Sequence, residues 1–245
     1  MNRPFDWIRP QWPVPANVRA CVTTRTEGDS LSPFDSFNLG DHVGDDLPRV
    51  QANRDWLAQQ LGCTPVWLEQ VHGVNAVEAQ PGTTATADAS WSRTPGVACT
   101  IMSADCLPVL FADRAGTCVA AAHAGWRSLV GGVLEHTLAA MQIEPAQAVV
   151  WLGPAIGPQV YEVGPEVREA FVAQHADTAA AFAPSARAGH WLADLYALAR
   201  MRLAAAGVQA VYGGGFCTLS DPRFYSYRRN AVTGRMASLV WLTPL

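Results

Sequence analysis

Three side chains with chemically reactive groups lie in separate short motifs along the chain. They are His72 in Gln-Val-His-Gly, Cys106 in Ala-Asp-Cys-Leu-Pro and His123 in His-Ala-Gly-Trp-Arg. A thiolate and two imidazoles can hold a catalytic zinc ion that keeps a fourth position open for water or substrate. The same groups could serve as a metal-free Cys nucleophile with a His base, or have a purely structural role. Their separations of 34 and 17 positions match no regular ligand pattern, so spacing alone does not distinguish a zinc site, a Cys-His pair and a structural role.

A predicted β-hairpin brings two of these side chains together. Two short apolar runs flank a polar turn at residues 113–116, which is typical of antiparallel strands. Antiparallel pairing places the start of the first strand beside the end of the second, so Cys106 and His123 should share one site. His72 is predicted at the end of another strand, over residues 66–73, with residues 74–79 as the returning strand.

The rest of the chain predicts helices and strands in irregular alternation. Helices are predicted over residues 47–61, 129–141, 165–175 and 191–206, and strands near 18–24, 97–102, 148–152, 208–212 and 237–242. A hairpin among such elements requires a mixed sheet. We expect one α/β (α+β) layered domain over residues 1–245, without repeats or linkers.

Composition and charge exclude several classes of partner. A chain of 245 residues with 49% hydrophobic residues can bury a large core. Its net charge of −4 and its dispersed arginines give no footprint for nucleic acid, so none is expected as a partner. No apolar run approaches the roughly 18 residues of a membrane span. We expect a soluble, cytoplasmic monomer that does not bind membranes.

The basic and sulfur-containing residues limit the chemistry further. All 17 basic residues are arginine, which excludes Schiff-base chemistry and a Walker A phosphate loop, since both need a lysine amine. Recognition of anions must therefore use arginine, backbone amides or a metal. Six irregularly spaced cysteines without a Cys-x-x-Cys pair predict free thiols rather than a disulfide framework.

Eight motifs in one consistent order, from about residue 20 to the C-terminus, resemble the YfiH family. They are Asn38-Leu39-Gly40 with His42-Val43-Gly44-Asp45-Asp46, Asn53-Arg54, Gln70-Val71-His72-Gly73, Ala87-Asp88-Ala89, Ala104-Asp105-Cys106-Leu107-Pro108, His123-Ala124-Gly125-Trp126-Arg127, Gly153-Pro154-Ala155-Ile156-Gly157-Pro158 with Tyr161-Glu162-Val163, and Ser226-Tyr227-Arg228-Arg229 with Thr233-Gly234-Arg235. Family members are called purine nucleoside phosphorylases, laccase-domain or multicopper polyphenol oxidases, and peptidoglycan editing factors. Ser128 departs from the pattern, because the family usually has Gly there.

The resemblance implies a fold, a cofactor and activities. The fold is a single-domain layered α/β/β/α sandwich with mixed sheets, similar to the catalytic domain of cytotoxic necrotizing factor. The cofactor is zinc, held by His72, Cys106 and His123, which would also be the catalytic residues. The activities are phosphorolysis of adenosine, inosine, guanosine and methylthioadenosine, together with adenosine deamination.

Purine nucleosides and phosphate are then the expected small-molecule partners. Arg127 and Arg229 are candidates for a phosphate clamp, because a guanidinium offers planar, bidentate donors. Asn38, Arg54 and Tyr227 are candidates for contacts to the ribose or the base.

Three other functions stay open at this point. A multicopper oxidase centre usually takes its ligands from His-x-His pairs, whereas this chain has six histidines and no such pair. Copper at the predicted zinc site could still give some polyphenol oxidase activity. The second alternative is a metal-free Cys-His hydrolase acting on an amide in peptidoglycan precursors, and the third is a binding protein without activity.

Overall fold

Strands and helices alternate along residues 6–244, the part of the chain that the computed structural model describes. The strands are β1 (Val18–Val22), β2 (Thr64–Val66), β3 (Leu68–Glu69), β4 (Ala76–Glu78), β5 (Ala85–Thr86), β6 (Ala89–Ser92), β7 (Val97–Ser103), β8 (Leu107–Asp113), β9 (Val119–Ala124), β10 (Ala148–Leu152), β11 (Glu162–Val163), β12 (Phe182–Pro184), β13 (Trp191–Ala193), β14 (Ala210–Gly213) and β15 (Met236–Leu242). The helices are α1 (Leu47–Leu61), α2 (Trp126–Gly131), α3 (Val133–Met141), α4 (Pro165–Gln174) and α5 (Leu195–Ala205), with 3-10 turns at Pro145–Gln147 and Ala176–Ala181.

Two mixed sheets face each other at the centre of the protein. One has the strand order β1-β15-β7-β2 and the other β14-β10-β8-β9-β6-β4. Leu110 of β8 and Ile101 of β7 belong to the apolar cluster between the sheets, whereas Phe111 faces the opposite side and joins the core with α3 and α5. On the far side of the first sheet, Leu57 of α1 and Leu239 of β15 belong to one apolar cluster. The predicted α/β/β/α single-domain layering is therefore confirmed, while the similarity to cytotoxic necrotizing factor stays a prediction.

The predicted hairpin around the reactive cysteine is confirmed. Strands β8 and β9 are antiparallel and wholly buried, and Pro108 pairs with His123. The turn is closed by Asp113, whose carboxylate accepts hydrogen bonds from the backbone N–H groups of Thr117 (2.7 Å) and Cys118 (3.0 Å). This register places the residue before β8 beside the residue after β9.

Two of the predicted helices are wrong in extent. The helix predicted over residues 129–141 is divided at Gly132, whose left-handed backbone (φ 98°) ends α2 before α3 begins. The helix predicted over residues 191–206 begins only at Leu195, because residues 191–193 pair with β11 and β12. Asp194 caps α5 by accepting a hydrogen bond from the Ala197 N–H at 2.9 Å.

The strand pairing predicted near His72 is also wrong. Residues 66–73 do not form one strand but end in a loop after the short β3, and β3 pairs in parallel with β5. Strand β4 pairs in parallel with β6, so it is not the returning strand of a hairpin. Polar contacts of residues 71–73 to a distant carboxylate, described below, replace the strand pairing.

The expected limits of the domain, residues 1–245, extend beyond the described residues. Residues 1–5 and 245 lie outside them, so these limits stay a prediction. No helix among residues 6–244 combines the length and the hydropathy that crossing a bilayer requires.

Candidate metal centre and its cavity

The three reactive side chains converge in one cluster. The ligand atoms of His72, Cys106 and His123 all lie within 4.8 Å of one another. His72 Nε2 is 3.7 Å from Cys106 Sγ, and the centroids of the two imidazole rings are 4.7 Å apart. The structure thus brings together the three residues that the sequence analysis selected.

A fully buried carboxylate, Asp88, orients both histidines of the cluster. It accepts hydrogen bonds from the backbone N–H groups of Val71 (3.2 Å), His72 (3.0 Å) and Gly73 (2.6 Å). Its Oδ1 also lies 2.9 Å from Nδ1 of His123. An ionised carboxylate can only accept, so Nδ1–H of His123 donates this hydrogen bond, and Nε2 is the ring nitrogen on the side of the cluster. Sequence reasoning missed this role, since its only signal is one Asp between two alanines before β6.

One unusual backbone conformation and one glycine let the ligands lie close together. His72 has a left-handed backbone (φ 59°), which a non-glycine residue rarely adopts. A Cβ at Gly125 would lie 3.0 Å from Sγ of Cys106 and 3.0 Å from Cδ2 of His72. A side chain at the Gly of the His-Ala-Gly-Trp-Arg motif would therefore crowd two of the ligands.

The turn that carries the cysteine is fixed by its neighbour, Asp105. This residue also has a positive φ, of 89°. Its carboxylate accepts hydrogen bonds from the hydroxyl of Thr218 (2.6 Å) and the backbone N–H of Arg228 (2.7 Å), and its carbonyl accepts from the N–H of Ile156 (2.9 Å). Contacts to three separate segments thus hold Cys106 in place.

The charges of the cluster favour a thiolate. Burial alone would raise the pKa of Cys106, but the neighbouring His123 and His72 outweigh this effect and lower it to about 6. Burial alone would lower the pKa of His123, but Cys106 and Asp88 together raise it to about 9. The deprotonated thiol is the form that binds a metal ion, whereas His123 would release its Nε2 proton when an ion binds.

The donor set fits a transition-metal ion. One thiolate and two imidazoles suit zinc or copper, and the Asp88 contact to His123 is the kind of carboxylate support that metal-bound histidines commonly receive. Among residues 6–244, this is the one group of His, Cys, Asp or Glu side chains close enough to share an ion.

A cavity of about 440 Å³ adjoins the cluster. Besides the three ligands, its walls include arginines and aromatic side chains, namely Arg127, Arg228, Arg235, Trp126, Tyr161 and Tyr227. Of the predicted substrate contacts, the structure therefore places Arg127 and Tyr227 at the cavity.

Arg229, predicted as half of a phosphate clamp, does not line this cavity. Its guanidinium donates hydrogen bonds to the backbone carbonyls of Thr218, Leu219, Asp221 and Phe224. These hydrogen bonds brace the loop between β14 and β15, and the contact of Arg229 with phosphate stays a prediction.

Asn38 and Arg54 also lie outside the cavity wall. Asn38 is fully buried and bonds the backbone of Gly40 and of Arg235. Arg54 forms an ion pair with Asp41 at 3.2 Å, and its Nε donates to the Leu39 carbonyl. Both hold the loop before α1 in place, and their contact with ribose or base stays a prediction.

Several cavity residues were not selected from the sequence, among them Tyr161, Arg228 and Arg235. Each of these three lies in a motif of the family resemblance. Adjacent residues of one motif can nevertheless have side chains in different places. Arg228 lines the cavity, whereas Arg229 braces a loop. Sequence spacing in an irregular loop does not predict that difference.

The fold and the cluster define a layered mixed α/β protein with a candidate three-ligand metal centre beside a cavity. A family model described as multi-copper polyphenol oxidoreductase laccase matches residues 19–243. The chain belongs to this family, and its relatives confirm the YfiH resemblance that the motifs indicate.

Several relatives match nearly the whole chain. A purine nucleoside phosphorylase of Pseudomonas aeruginosa is 63% identical over 237 residues, covering 96% of this chain and 98% of the relative. The purine nucleoside phosphorylase YfiH of Escherichia coli is 53% identical over 240 residues, with the same coverage. A solved structure from Neisseria meningitidis has a TM-score of 0.95 at 50% identity, covering 98% of this chain and all of that chain. YlmD of Geobacillus stearothermophilus has a TM-score of 0.89 at 30% identity, covering 100% and 98%.

Proposed function

We propose that this chain is a purine nucleoside phosphorylase whose site holds a zinc ion at His72, Cys106 and His123. The observation that carries the proposal is the Cys-His-His cluster beside a cavity lined by arginines and aromatic rings. Relatives at 45–63% identity that are named purine nucleoside phosphorylases support the same activity.

The proposed reaction joins inorganic phosphate to the sugar of the nucleoside. A phosphate oxygen forms a bond to the anomeric carbon of the ribose while the glycosidic carbon–nitrogen bond breaks. The electron pair of that bond remains on the purine nitrogen, and the proton of hydrogen phosphate ends on the released base. The products are ribose 1-phosphate and the free purine. Inosine therefore gives hypoxanthine, and adenosine gives adenine.

The chain's own residues would bind and orient both reactants. Tyr227 is exposed at the cavity, and its ring offers a face for stacking against a purine. The arginines at the same wall, of which Arg127 is the one predicted from the sequence, offer planar donors for phosphate. Asp88 keeps the Nδ1 proton on His123, so that ring keeps one orientation throughout. When bound, the metal ion supplies Lewis acidity at the cluster.

The same site supports a second proposed reaction, the hydrolysis of adenosine to inosine and ammonia. This reaction needs water and no phosphate, so the two activities are separable in one assay series. Release of ammonia from adenosine in phosphate-free buffer would test it. Copper in place of zinc is the alternative occupant of the site, because imidazole and thiolate also suit copper.

The first test combines metal analysis with an activity assay. Protein purified without a His-tag should contain near-stoichiometric zinc and release hypoxanthine from inosine only when phosphate is present. Absence of both metal and release, with rapid alkylation of Cys106, would overturn the proposal in favour of a metal-free hydrolase. Amides from peptidoglycan precursors would then be the substrates to assay.

A matched pair of cysteine variants tests the site itself. Cys106→Ala should lose both the metal and phosphorolysis, because it removes the thiolate ligand. Cys217→Ala is the control, since Cys217 is also partly exposed but lies outside the metal cluster and the cavity wall. Full activity in Cys106→Ala would exclude the proposed site.

A further inference from the structure

We propose that Arg235 and Arg228 form the phosphate subsite of this cavity, and that Asn38 and Gly40 are positioning residues for Arg235. The inference rests on the proposed phosphorolysis and names the groups that would bind its second substrate. It replaces the predicted clamp of Arg127 and Arg229 with Arg235 and Arg228, which line the cavity.

Arg235 carries a half-buried positive charge without an acidic partner. Neither it nor Arg228 forms an ion pair with an acidic side chain among residues 6–244. Nη1 of Arg235 donates to the carbonyls of Thr233 and Gly234, both at 3.0 Å, which leaves Nε and Nη2 free of hydrogen bonds within that range. Burial also lowers the pKa of this guanidinium, as expected for a charge that lacks full compensation.

Arg228 presents a second guanidinium at the same wall. Its backbone N–H donates to Asp105 beside the cluster, and its Nη1 donates to the carbonyl of Glu162 at 2.9 Å. The guanidinium lies 5.4 Å from the ring centroid of Tyr161. Its Nε and Nη2 make no further hydrogen bond within residues 6–244. Hydrogen bonds thus hold both the backbone and the guanidinium of Arg228, while its Nε and Nη2 can still donate to a ligand.

Arg127, the third arginine of the cavity, is less constrained. Its guanidinium rests over the ring of Trp126, its own neighbour, at 4.4 Å, and makes no hydrogen bond within residues 6–244. A loosely held arginine would lose more side-chain entropy on binding phosphate than two that are already anchored. Arg235 and Arg228 are therefore the better binding pair.

The surroundings of Arg235 show how it is held. The buried amide of Asn38 accepts hydrogen bonds from the backbone N–H groups of Gly40 and Arg235, both at 2.9 Å. A Cβ at Gly40 would lie 2.8 Å from Cγ of Arg235 and 3.2 Å from its Cβ. Gly40 is thus necessary for the close approach of this side chain, and Asn38 joins the two backbone segments.

Phosphate is the substrate that this pair suits. A guanidinium binds a phosphate dianion through paired hydrogen bonds, whereas a nucleoside carries no charge to attract it. Asp105 is the acidic residue of the cavity wall, and its two oxygens already accept from Thr218 and Arg228. The three arginines outnumber it, so the cavity favours an anion.

The test measures both Michaelis constants of the zinc-loaded protein. Arg235→Gln and Arg228→Gln should each raise the KM for phosphate by about tenfold to a hundredfold, which corresponds to the loss of a charged hydrogen bond. The KM for inosine and the zinc content should change by less than about twofold. Arg235→Lys, which keeps the charge but not the bidentate geometry, should have an intermediate KM. Arg187→Gln, an exposed arginine outside the cavity, is the control.

Gly40→Ala tests the positioning role without altering a cavity side chain. The added methyl group should displace Arg235 and raise the KM for phosphate selectively, in the same direction as Arg235→Gln. Circular dichroism would verify that the variant is folded. An unchanged KM for phosphate in folded Gly40→Ala would overturn the positioning role.

Direct titration separates this inference from the proposed function. Calorimetry with inorganic phosphate should show binding to the zinc-loaded protein that Arg235→Gln weakens at least about tenfold. If the wild-type protein binds phosphate in this way but releases no hypoxanthine, phosphorolysis fails and the subsite stands. If the wild-type protein is active, but Arg127→Gln alone raises the KM for phosphate, the subsite is overturned.

Discussion

Asp88 supports the candidate metal centre although it is not one of its ligands. Its carboxylate accepts hydrogen bonds from the backbone N–H groups of residues 71–73 and contacts Nδ1 of His123. It therefore holds the backbone at one ligand and the imidazole of another. Such supporting carboxylates commonly change metal affinity when they are removed. The role of Asp88 is therefore testable independently of the reaction.

Asp88→Asn should weaken zinc binding by about 10-fold to 100-fold, because a neutral amide supports the imidazole of His123 less well. Competition with a chromogenic chelator would measure the affinity. Asp177→Asn, at an exposed acid outside the metal cluster, serves as the control and should leave it unchanged. Wild-type affinity in folded Asp88→Asn would contradict the orienting role.

Ser128 offers a second test at the level of one residue. Its side-chain hydroxyl is buried and lacks a hydrogen-bond partner among residues 6–244. Ser128→Ala should raise the free energy of unfolding by about 1 kcal/mol and raise the Tm, because it removes an unsatisfied polar group. Ser128→Gly, the residue that the family resemblance predicts there, should gain less, since Gly costs about 0.5–1 kcal/mol inside a helix. A lower Tm for Ser128→Ala would show that its hydroxyl is satisfied in solution.

Some elements that position the site are determined by neighbouring residues, and others depend on contacts with distant parts of the chain. Helix α1 follows from nearby signals: Asp46 caps it, Pro48 stands in its first turn, and Gly62 ends it in a left-handed conformation. The start of helix α5 depends on whether residues 191–193 form helix or strand. They join a three-stranded sheet, and Asp194 caps the helix that follows. The apolar pattern alone extends the helix too far.

Asp194→Ala should therefore destabilise the protein by about 1 kcal/mol, through loss of the hydrogen bond from the Ala197 N–H to the cap. Thermal unfolding would show a lower Tm. Glu169→Ala, an exposed acid within α4, is the control for removing a negative charge. Equal Tm values for the two variants would mean that the cap contributes nothing.

At the scale of the whole molecule, the layers divide the six cysteines into two groups. Cys21, Cys63, Cys99 and Cys118 are buried, and burial raises the pKa of each thiol to about 11 or 12. Cys106 and Cys217 are partly exposed and have lowered pKa values. The pattern agrees with the predicted free thiols.

Alkylation of the native, chelator-treated protein at neutral pH should accordingly label Cys106 and Cys217 and leave the other four unmodified. Mass spectrometry of peptides would locate the label, and denaturation should make all six reactive. Added zinc should protect Cys106 but not Cys217, which lies outside the cluster. Protection of both thiols, or of neither, would argue against zinc at the cluster.

The sequence by itself determined the features that depend on short stretches of chain. The β8–β9 hairpin, the boundaries of α1 and the three candidate ligands follow from apolar alternation, turn and cap residues, and reactive side chains in short motifs. These signals lie within a few residues of the structure that they specify. The hairpin also brought Cys106 and His123 together correctly, because antiparallel register is a local consequence of its turn.

Only the tertiary structure decided which distant groups meet at the site. The parallel pairing of β3 with β5, the convergence of residues 71–73 on Asp88, and the choice of Arg235 over Arg229 at the cavity join segments far apart in the chain. In such loops a side chain's direction depends on the backbone contacts that hold the loop. Those contacts exist only after the two sheets and the helices have packed.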